Sequence, residues 1–223
     1  MSDLAVYDLD RTITRRPTYT LFLIHCAMRR QPWRLLFVPF VVLAMLAYAM
    51  GLFDRGRLKE ICQALLVGRR IHAAELKPLA DSFAEATVQH NIRPGARRAI
   101  ERDREEGRRL VLATASYRLY ADSIAERLGF DDVIATGSVI GLDERVHARI
   151  AGKNCYGAEK MRMIAEWVEK SGLTGRHGHV RFYSDHASDE PAFLWSDEPV
   201  AVNPHGRLER LAKRRGWAVE DWG

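Results

Sequence analysis

The chain has 223 residues, of which 47% are hydrophobic and 28% are charged, and it carries a formal net charge of +5 at pH 7. This balance excludes a disordered chain, and the length is enough for one core with a smaller inserted module. The positive charge favours an anionic ligand. Nucleic acid is not favoured, because the arginines between Arg97 and Arg109 alternate with acidic residues, as on a solvated helix.

The first predicted element is a short buried strand at residues 4–8 (LAVYD), which ends in an acidic residue. From about Pro17 to His90 the pattern is helical throughout, with no convincing strand. Within this stretch, residues 35–53 carry no charge, and the length of the run approaches the roughly 20 residues that span a membrane. A buried or groove-lining helix is the favoured interpretation of this run, and membrane contact is the alternative.

After this helical stretch, strands and helices alternate. The predicted strands are 109–114, 133–136, 180–185 and 200–204, with a hairpin at 137–152. The predicted helices are 96–106, 119–128, 158–170, 191–194 and one from Arg207 onward. Such alternation predicts an α/β fold with a parallel sheet flanked by helices. We expect a core of residues 1–14 and 93–223, with residues 15–92 inserted above it as an all-helical cap.

The three cysteines, Cys26, Cys62 and Cys155, match neither a disulfide framework nor a CxxC metal site. They indicate a reducing compartment. The first residues also lack the charged and long apolar regions of a signal peptide. A cytoplasmic protein is therefore expected, with the uncharged run as its one feature that allows membrane contact.

The clearest chemical signal is DLDRT, which begins at Asp8. Asp8 and Asp10 point to the same side of an extended segment at the end of the first strand. Two acids this close repel each other unless a cation lies between them, and Mg²⁺ prefers oxygen ligands. One carboxylate can then attack phosphorus while the other transfers protons. Thr114 and Asp185 also end predicted strands, so they are expected in the same crevice.

The strand-end DxDxT resembles the first motif of the haloacid dehalogenase (HAD) superfamily of phosphotransferases. Candidates for the other motifs follow in order. They are Thr114 for the second, with Ser116 as the less favoured choice, Lys160 in YGAEKMRMI for the third, and Asp185 and Asp189 in SDHASD for the fourth. The helical insertion matches the C1-cap position, and the core segments look like subfamily IB hydrolases related to phosphoserine phosphatase. The resemblance covers nearly the whole chain and is weakest in the cap.

The resemblance implies a HAD-like Rossmannoid core and a magnesium-dependent phosphomonoester hydrolase. Asp8 would be the nucleophile and a magnesium ligand, and Asp10 the general acid and base with its backbone carbonyl on the metal. Thr114 would hydrogen-bond a phosphoryl oxygen. Lys160 would neutralise the phosphoryl charge and hold Asp8. Asp185 would also bind magnesium.

Asp189 would bind the metal or orient the lysine of the third motif. Further residues at the crevice are candidates for substrate contact: Thr12, Arg15, Arg16, Thr18, Ser116 and His186. A small-molecule phosphate ester is the expected substrate. Phosphoserine is not favoured, because residues 14–18 read TRRPT where phosphoserine enzymes typically carry an acid.

Three alternatives stay open. The same scaffold can act as a phosphotransferase, with a hydroxyl group instead of water as the acceptor. The uncharged run can make the protein a membrane-associated lipid-phosphate phosphatase. A non-enzymatic, membrane-attached or regulatory protein is the third alternative, and the complete set of motif residues argues against it.

Overall fold

The computed structural model describes residues 2–173 and 177–223. In these residues eight strands form one sheet: β1 Ser2–Tyr7, β2 Arg70–His72, β3 Arg109–Tyr117, β4 Asp132–Ile140, β5 Arg145–Ala151, β6 His177–Ser184, β7 Glu198–Val202 and β8 Ala218–Glu220. The same residues form nine α-helices: α1 Thr18–Arg30, α2 Val38–Ala49, α3 Arg55–Leu66, α4 Ala73–His90, α5 Pro94–Glu105, α6 Arg118–Leu128, α7 Ala158–Lys170, α8 Glu190–Trp195 and α9 Arg207–Arg215.

The strands are ordered β2-β5-β4-β3-β1-β6-β7-β8 across the sheet. β1 lies near the centre and pairs in parallel with β3 and β6. β4, β7 and β8 extend the parallel pairing. β5 returns antiparallel to β4, which is the predicted hairpin, and β2 adds an antiparallel edge. The predicted α/β class, with a mostly parallel sheet between helices, is confirmed.

Both faces of the sheet are covered, and β1 shows why. Its side chains alternate, so that Leu4 and Val6 belong to one buried cluster and Ala5 and Tyr7 to the other. The first cluster includes residues of α7, α8 and α9, whereas the second includes residues of α1 and α3 to α6. A central strand that is buried on both faces holds the site at its end in one position.

The insertion between β1 and β3 is not all helical, so that prediction is wrong in one detail. It contains α1 to α4 but also β2, which pairs with β5. β2 has three residues and only Ile71 is apolar, too short for a strand period to be visible. Thr14 and Ile92 form an antiparallel bridge where the insertion leaves and rejoins the core. This bridge supports the division at residues 15 and 92, which stays a prediction.

The uncharged run 35–53 differs from the favoured expectation. A short 3₁₀ helix, Pro32–Phe37, leads into α2, and only Val41 and Ala44 of α2 are buried. The expectation of a buried helix is therefore wrong for most of its side chains. An uncharged sequence cannot distinguish a helix inside a protein core from one that is apolar and exposed.

Candidate active site

The carboxyl ends of β1, β3 and β6 meet at one edge of the sheet, and a cleft of about 490 Å³ opens there. Asp8 directly follows β1, and Asp185 directly follows β6. Both side chains line the cleft, together with Asp10, Lys160 and Asp189. Residues that are far apart in the sequence therefore meet as the strand-end pattern predicts.

The chain turns sharply after β1, and this turn brings Thr12 back to Asp8. Arg11 takes a positive φ of 65° in the turn, a conformation that is uncommon for a residue with a side chain. The Thr12 hydroxyl donates to Asp8 Oδ2 at 3.1 Å and lies 3.2 Å from Asp185 Oδ1. It also accepts a hydrogen bond from the backbone N–H of Asp185 at 2.9 Å. Thr12 thus connects the ends of β1 and β6.

Lys160 connects two of the carboxylates from the first turn of α7. Its Nζ donates to Asp8 Oδ1 at 2.8 Å and to Asp189 Oδ2 at 2.6 Å. Ser184 Oγ also donates to Asp189 Oδ2, at 2.8 Å. Burial alone would lower the pKa of Lys160, but the charges of Asp189 and Asp8 outweigh it and hold this pKa above its ordinary value. The side chain is therefore an ammonium ion.

Asp8 has an unusual protonation equilibrium. Burial raises its pKa to about 7, against the opposing effect of Lys160. The neighbouring charges of Asp189 and Asp185 contribute to this rise. Burial also raises the pKa of Asp185. Carboxylates with these properties need additional positive charge to remain ionised.

Asp10 is held from two elements. Its Oδ1 accepts hydrogen bonds from the backbone N–H of Thr18 at 2.6 Å and from the Thr18 hydroxyl at 2.7 Å. Its Oδ2 accepts from Ser116 Oγ at 2.9 Å. Ser116 was the less favoured candidate for the second motif, and here its side chain orients Asp10. Thr114 is fully buried, and its hydroxyl accepts a hydrogen bond from the Ser116 N–H at 3.0 Å.

The donor set of this edge fits a hard divalent cation. Four carboxylates, those of Asp8, Asp10, Asp185 and Asp189, line the cleft, and the Lys160 ammonium group contacts two of them. Oδ1 of Asp189 is buried with no hydrogen-bond partner among the described residues. Within residues 2–173 and 177–223, no three His, Cys, Asp or Glu side chains are grouped as a complete metal site. Mg²⁺ does not need such a group, because it binds through one or two carboxylates and keeps several waters.

The structure does not bring every predicted site residue to the cleft. Arg15 and Arg16 line a separate depression between α1 and α4, and the Arg16 N–H donates to Asn91 Oδ1 at 3.0 Å. The turn before α1 carries them away from the carboxylates, which corrects the expectation that they face the crevice. His186 does line the cleft, where its Nδ1 lies 2.8 Å from Ser188 Oγ.

Sequence reasoning missed Lys59. It lies on α3, is only 5% exposed, and lines the cleft. Its Nζ donates to Asn154 Oδ1 at 2.8 Å and, over a short distance, to the Ala115 carbonyl oxygen. Lys59 shares the buried face of α3 with Cys62 and Leu66, at the i, i+3 and i+7 positions. A lysine within such a stripe was the signal that could have identified it.

Burial, with the charge of Arg55 acting in the same direction, lowers the pKa of Lys59 to about 7. Arg55 also lines the cleft, with its guanidinium 4.3 Å from the ring centroid of Tyr156. The insertion therefore supplies two basic groups to a site whose acidic groups come from the core. Both can attract the negative charge of a bound ligand.

The insertion also supplies apolar side chains to the cleft lining. Val41, Met45 and Tyr48 of α2 line it, and Leu58 and Leu66 of α3 continue it. The groove-lining part of the expectation for the uncharged run thus agrees with the structure. The cleft lining therefore combines charged residues with apolar ones.

Comparison with known proteins identifies a family of hydrolases. A family model described as haloacid dehalogenase-like hydrolase matches residues 5–194. A phosphoserine phosphatase of Mycobacterium tuberculosis is 29% identical over 167 residues, which cover 75% of this chain and 52% of that protein. A histidinol-phosphatase of Neisseria meningitidis is 28% identical over 138 residues, which cover 61% of this chain and 62% of that protein. The chain spans about half the length of the mycobacterial relative.

The overall fold also matches a solved structure. A protein of unknown function from Bordetella pertussis Tohama I superposes with a TM-score of 0.87. The two chains are 25% identical, and the match covers 100% of each. The similarity therefore includes the insertion as well as the sheet.

Proposed function

The chain belongs to the haloacid dehalogenase-like hydrolase family, and from that premise we propose that it is a magnesium-dependent phosphomonoester hydrolase with an aspartyl-phosphate intermediate on Asp8. One observation carries the proposal. The Asp8 carboxylate faces the cleft while Lys160 and Thr12 hold its two oxygens. A carboxylate fixed in this way is oriented for attack on phosphorus.

In the first step, a carboxylate oxygen of Asp8 attacks phosphorus, and the bond from phosphorus to the leaving oxygen breaks. Asp10 gives a proton to that leaving oxygen. In the second step, Asp10 takes a proton from water, the water oxygen bonds to phosphorus, and the bond to Asp8 breaks. Thr18 and Ser116 support both steps, because they hold Asp10 in one orientation.

The remaining charged groups stabilise the transferring phosphoryl group. Lys160 supplies positive charge beside Asp8, and Asp189 keeps the ammonium group in place. Asp8, Asp185 and the backbone carbonyl of Asp10 would hold Mg²⁺, with Asp189 nearby. When bound, Mg²⁺ neutralises charge on the phosphoryl oxygens, which is the main demand of phosphoryl transfer.

We propose a small phosphate ester as the kind of substrate that the cleft accepts. Phosphoserine phosphatase and histidinol-phosphatase are the names of two relatives, and both reactions release phosphate from a monoester. A cytoplasmic location is likewise a proposal. The three cysteines are free and buried, which is consistent with a reducing compartment.

The test is release of inorganic phosphate from p-nitrophenyl phosphate at neutral pH, with and without Mg²⁺. Wild type should turn over only with Mg²⁺, and Asp8→Asn should lose turnover, because an amide cannot act as the nucleophile. Asp143→Asn is the matched control, since Asp143 lies on the exposed turn between β4 and β5. Equal turnover by wild type and Asp8→Asn would contradict the proposal.

A further inference from the structure

The exposed apolar side chains of this protein are concentrated in one segment. Of the seventeen large hydrophobic side chains that are exposed within residues 2–173 and 177–223, eleven lie between Trp33 and Leu52. They are Trp33, Leu36, Val38, Phe40, Val42, Leu43, Met45, Leu46, Tyr48, Met50 and Leu52. A cluster of this size on a folded chain indicates a surface that something else covers.

The distribution of these side chains around α2 indicates what covers it. α2 packs mainly against α3 and the preceding 3₁₀ helix, and only its Val41 and Ala44 are buried. The exposed residues Val42, Leu43 and Leu46 leave no polar face on the rest of the helix. A second protein would cover one face of α2, whereas lipid chains would cover all of its exposed sides.

The geometry also limits how deeply the segment can enter a membrane. The stretch Pro32–Ala49 is long and apolar enough to cross a membrane by length and composition. However, α2 has 12 residues, so it is about 18 Å long, while the hydrocarbon core is about 30 Å thick. The helices before and after the segment, α1 and α3, pack against each other. Both ends of the segment therefore stay on one side, and it reaches a single leaflet.

Charges at the ends of the segment favour an anionic lipid surface. Between residues 29 and 57 the chain has five arginines and one acidic residue, Asp54, which gives a formal net charge of +4. Arg29 and Arg55 are exposed at the two ends of the apolar stretch. Basic residues at the border of an inserted apolar segment are attracted to anionic head groups.

The apolar segment is continuous with the catalytic cleft. Val41, Met45 and Tyr48 of α2 line the same cleft as Asp8 and Lys160. We propose that α2 and the preceding 3₁₀ helix insert into one leaflet of an anionic membrane, and that the substrate is the phosphomonoester of a membrane lipid. The substrate part rests on the proposed function. The phosphate would reach Asp8, while the acyl chains remain beside α2.

The test compares two double variants of the full chain. Leu43→Glu with Leu46→Glu places charges on α2 outside the cleft lining, where the two leucines are 59% and 55% exposed. Leu142→Glu with Leu194→Glu is the matched control, because these leucines are also exposed but lie far from α2 in the sequence. Vesicles of phosphatidylcholine, with and without phosphatidic acid, are used for co-sedimentation. Phosphate release is measured from vesicle phosphatidic acid, glycerol 3-phosphate and p-nitrophenyl phosphate.

Wild type and the control should bind the vesicles, more strongly with phosphatidic acid, and should hydrolyse vesicle phosphatidic acid faster than glycerol 3-phosphate. The α2 variant should lose about tenfold or more in vesicle binding and in lipid turnover, because two inserted leucines are replaced by charges. Its turnover of p-nitrophenyl phosphate should equal that of wild type.

Several results would overturn the inference. One is equal vesicle binding by wild type and the α2 variant. Another is a wild-type dimer in analytical ultracentrifugation that the α2 variant abolishes, since a second copy would then cover the segment. Lipid turnover no faster than that of glycerol 3-phosphate would overturn the substrate assignment. Failure of the proposed function would give a different result: wild type would not turn over p-nitrophenyl phosphate but would still bind vesicles.

Discussion

The carboxyl edge of the sheet and α2 depart from ordinary protein surfaces in opposite ways. At the edge, charged side chains such as Asp8, Lys160 and Asp189 are buried, and Lys160 donates a hydrogen bond to each of the two carboxylates. On α2, apolar side chains such as Leu43 and Leu46 are exposed, and no described part of the chain covers them. Buried charge and exposed apolar area are both costly, so each is informative about function. The buried charges are partly compensated by Lys160, whereas the exposed apolar side chains have no cover among the described residues.

Asp10→Asn should give the largest effect, and this effect should be confined to the sheet edge. The amide keeps the shape of the carboxyl group and can still accept from Thr18, but it cannot transfer a proton. We expect turnover of p-nitrophenyl phosphate to fall by about 10²- to 10⁴-fold, with unchanged vesicle binding. Asp122→Asn, on the half-exposed ion pair of α6, is the control. A loss of less than about tenfold would show that Asp10 is not the proton-transfer group.

Lys160→Met should show how much the buried edge depends on the Lys160 ammonium group. Asp8 and Asp189 would be left as neighbouring buried carboxyl groups without their partner. Removing one member of a buried ion pair typically lowers the free energy of unfolding by about 3–5 kcal/mol. Urea unfolding at neutral pH without Mg²⁺ measures the change.

Lys170→Met is the matched control for this experiment, because Lys170 ends the same helix but is exposed. Its free energy of unfolding should stay within about 0.5 kcal/mol of the wild-type value. If Lys160→Met were as stable as this control, the hydrogen bonds from Lys160 would not stabilise the native edge.

The difference between the two regions also explains what the sequence could predict. Asp8, Asp10 and Asp185 were identifiable because a strand that ends in an acid places that acid at a known edge of a parallel sheet. Lys160 was identifiable only through its order after the other motifs, since an isolated helix lysine is ordinarily solvated. These side chains do lie together in the structure, and their catalytic roles stay predictions.

The insertion was harder to predict because its features depend on tertiary contacts. β2 forms only because β5 lies beside it, and three residues have no detectable period. The exposure of α2 depends on which neighbours are present, and an uncharged helix has the same sequence pattern whether protein or lipid surrounds it. Lys59 was missed for a related reason, because the stripe it forms with Cys62 and Leu66 is visible in the sequence, whereas what that stripe packs against is not.

Lys59 connects the insertion to the sheet edge, because it lies on α3 and lines the cleft. Its native pKa is about 7, whereas an unfolded lysine titrates near 10.4. Between these values the unfolded chain binds a proton that the native chain does not, so raising the pH stabilises the fold. We expect this lysine to contribute about 1–2 kcal/mol between pH 7 and 9. Urea unfolding of wild type and Lys59→Met at both pH values measures it.

Lys77→Met is the control for the pH experiment, because Lys77 is exposed on α4 and pairs only with Asp81 among the described side chains. It should keep the pH dependence of wild type, whereas Lys59→Met should lose the increase. An identical increase in all three proteins would assign it to other titrating groups and contradict the low native pKa of Lys59.

The smallest expected effect distinguishes the arginines around the cleft. Arg55 lines the cleft and lies over Tyr156, whereas Arg16 faces the depression between α1 and α4. A guanidinium that is exposed to water adds only modestly to the binding of an anion. Arg55→Ala should therefore raise the KM for p-nitrophenyl phosphate by about two- to fivefold, and Arg16→Ala by less than about twofold. A larger increase in KM for Arg16→Ala than for Arg55→Ala would instead support the sequence-based expectation that Arg16 contacts the substrate.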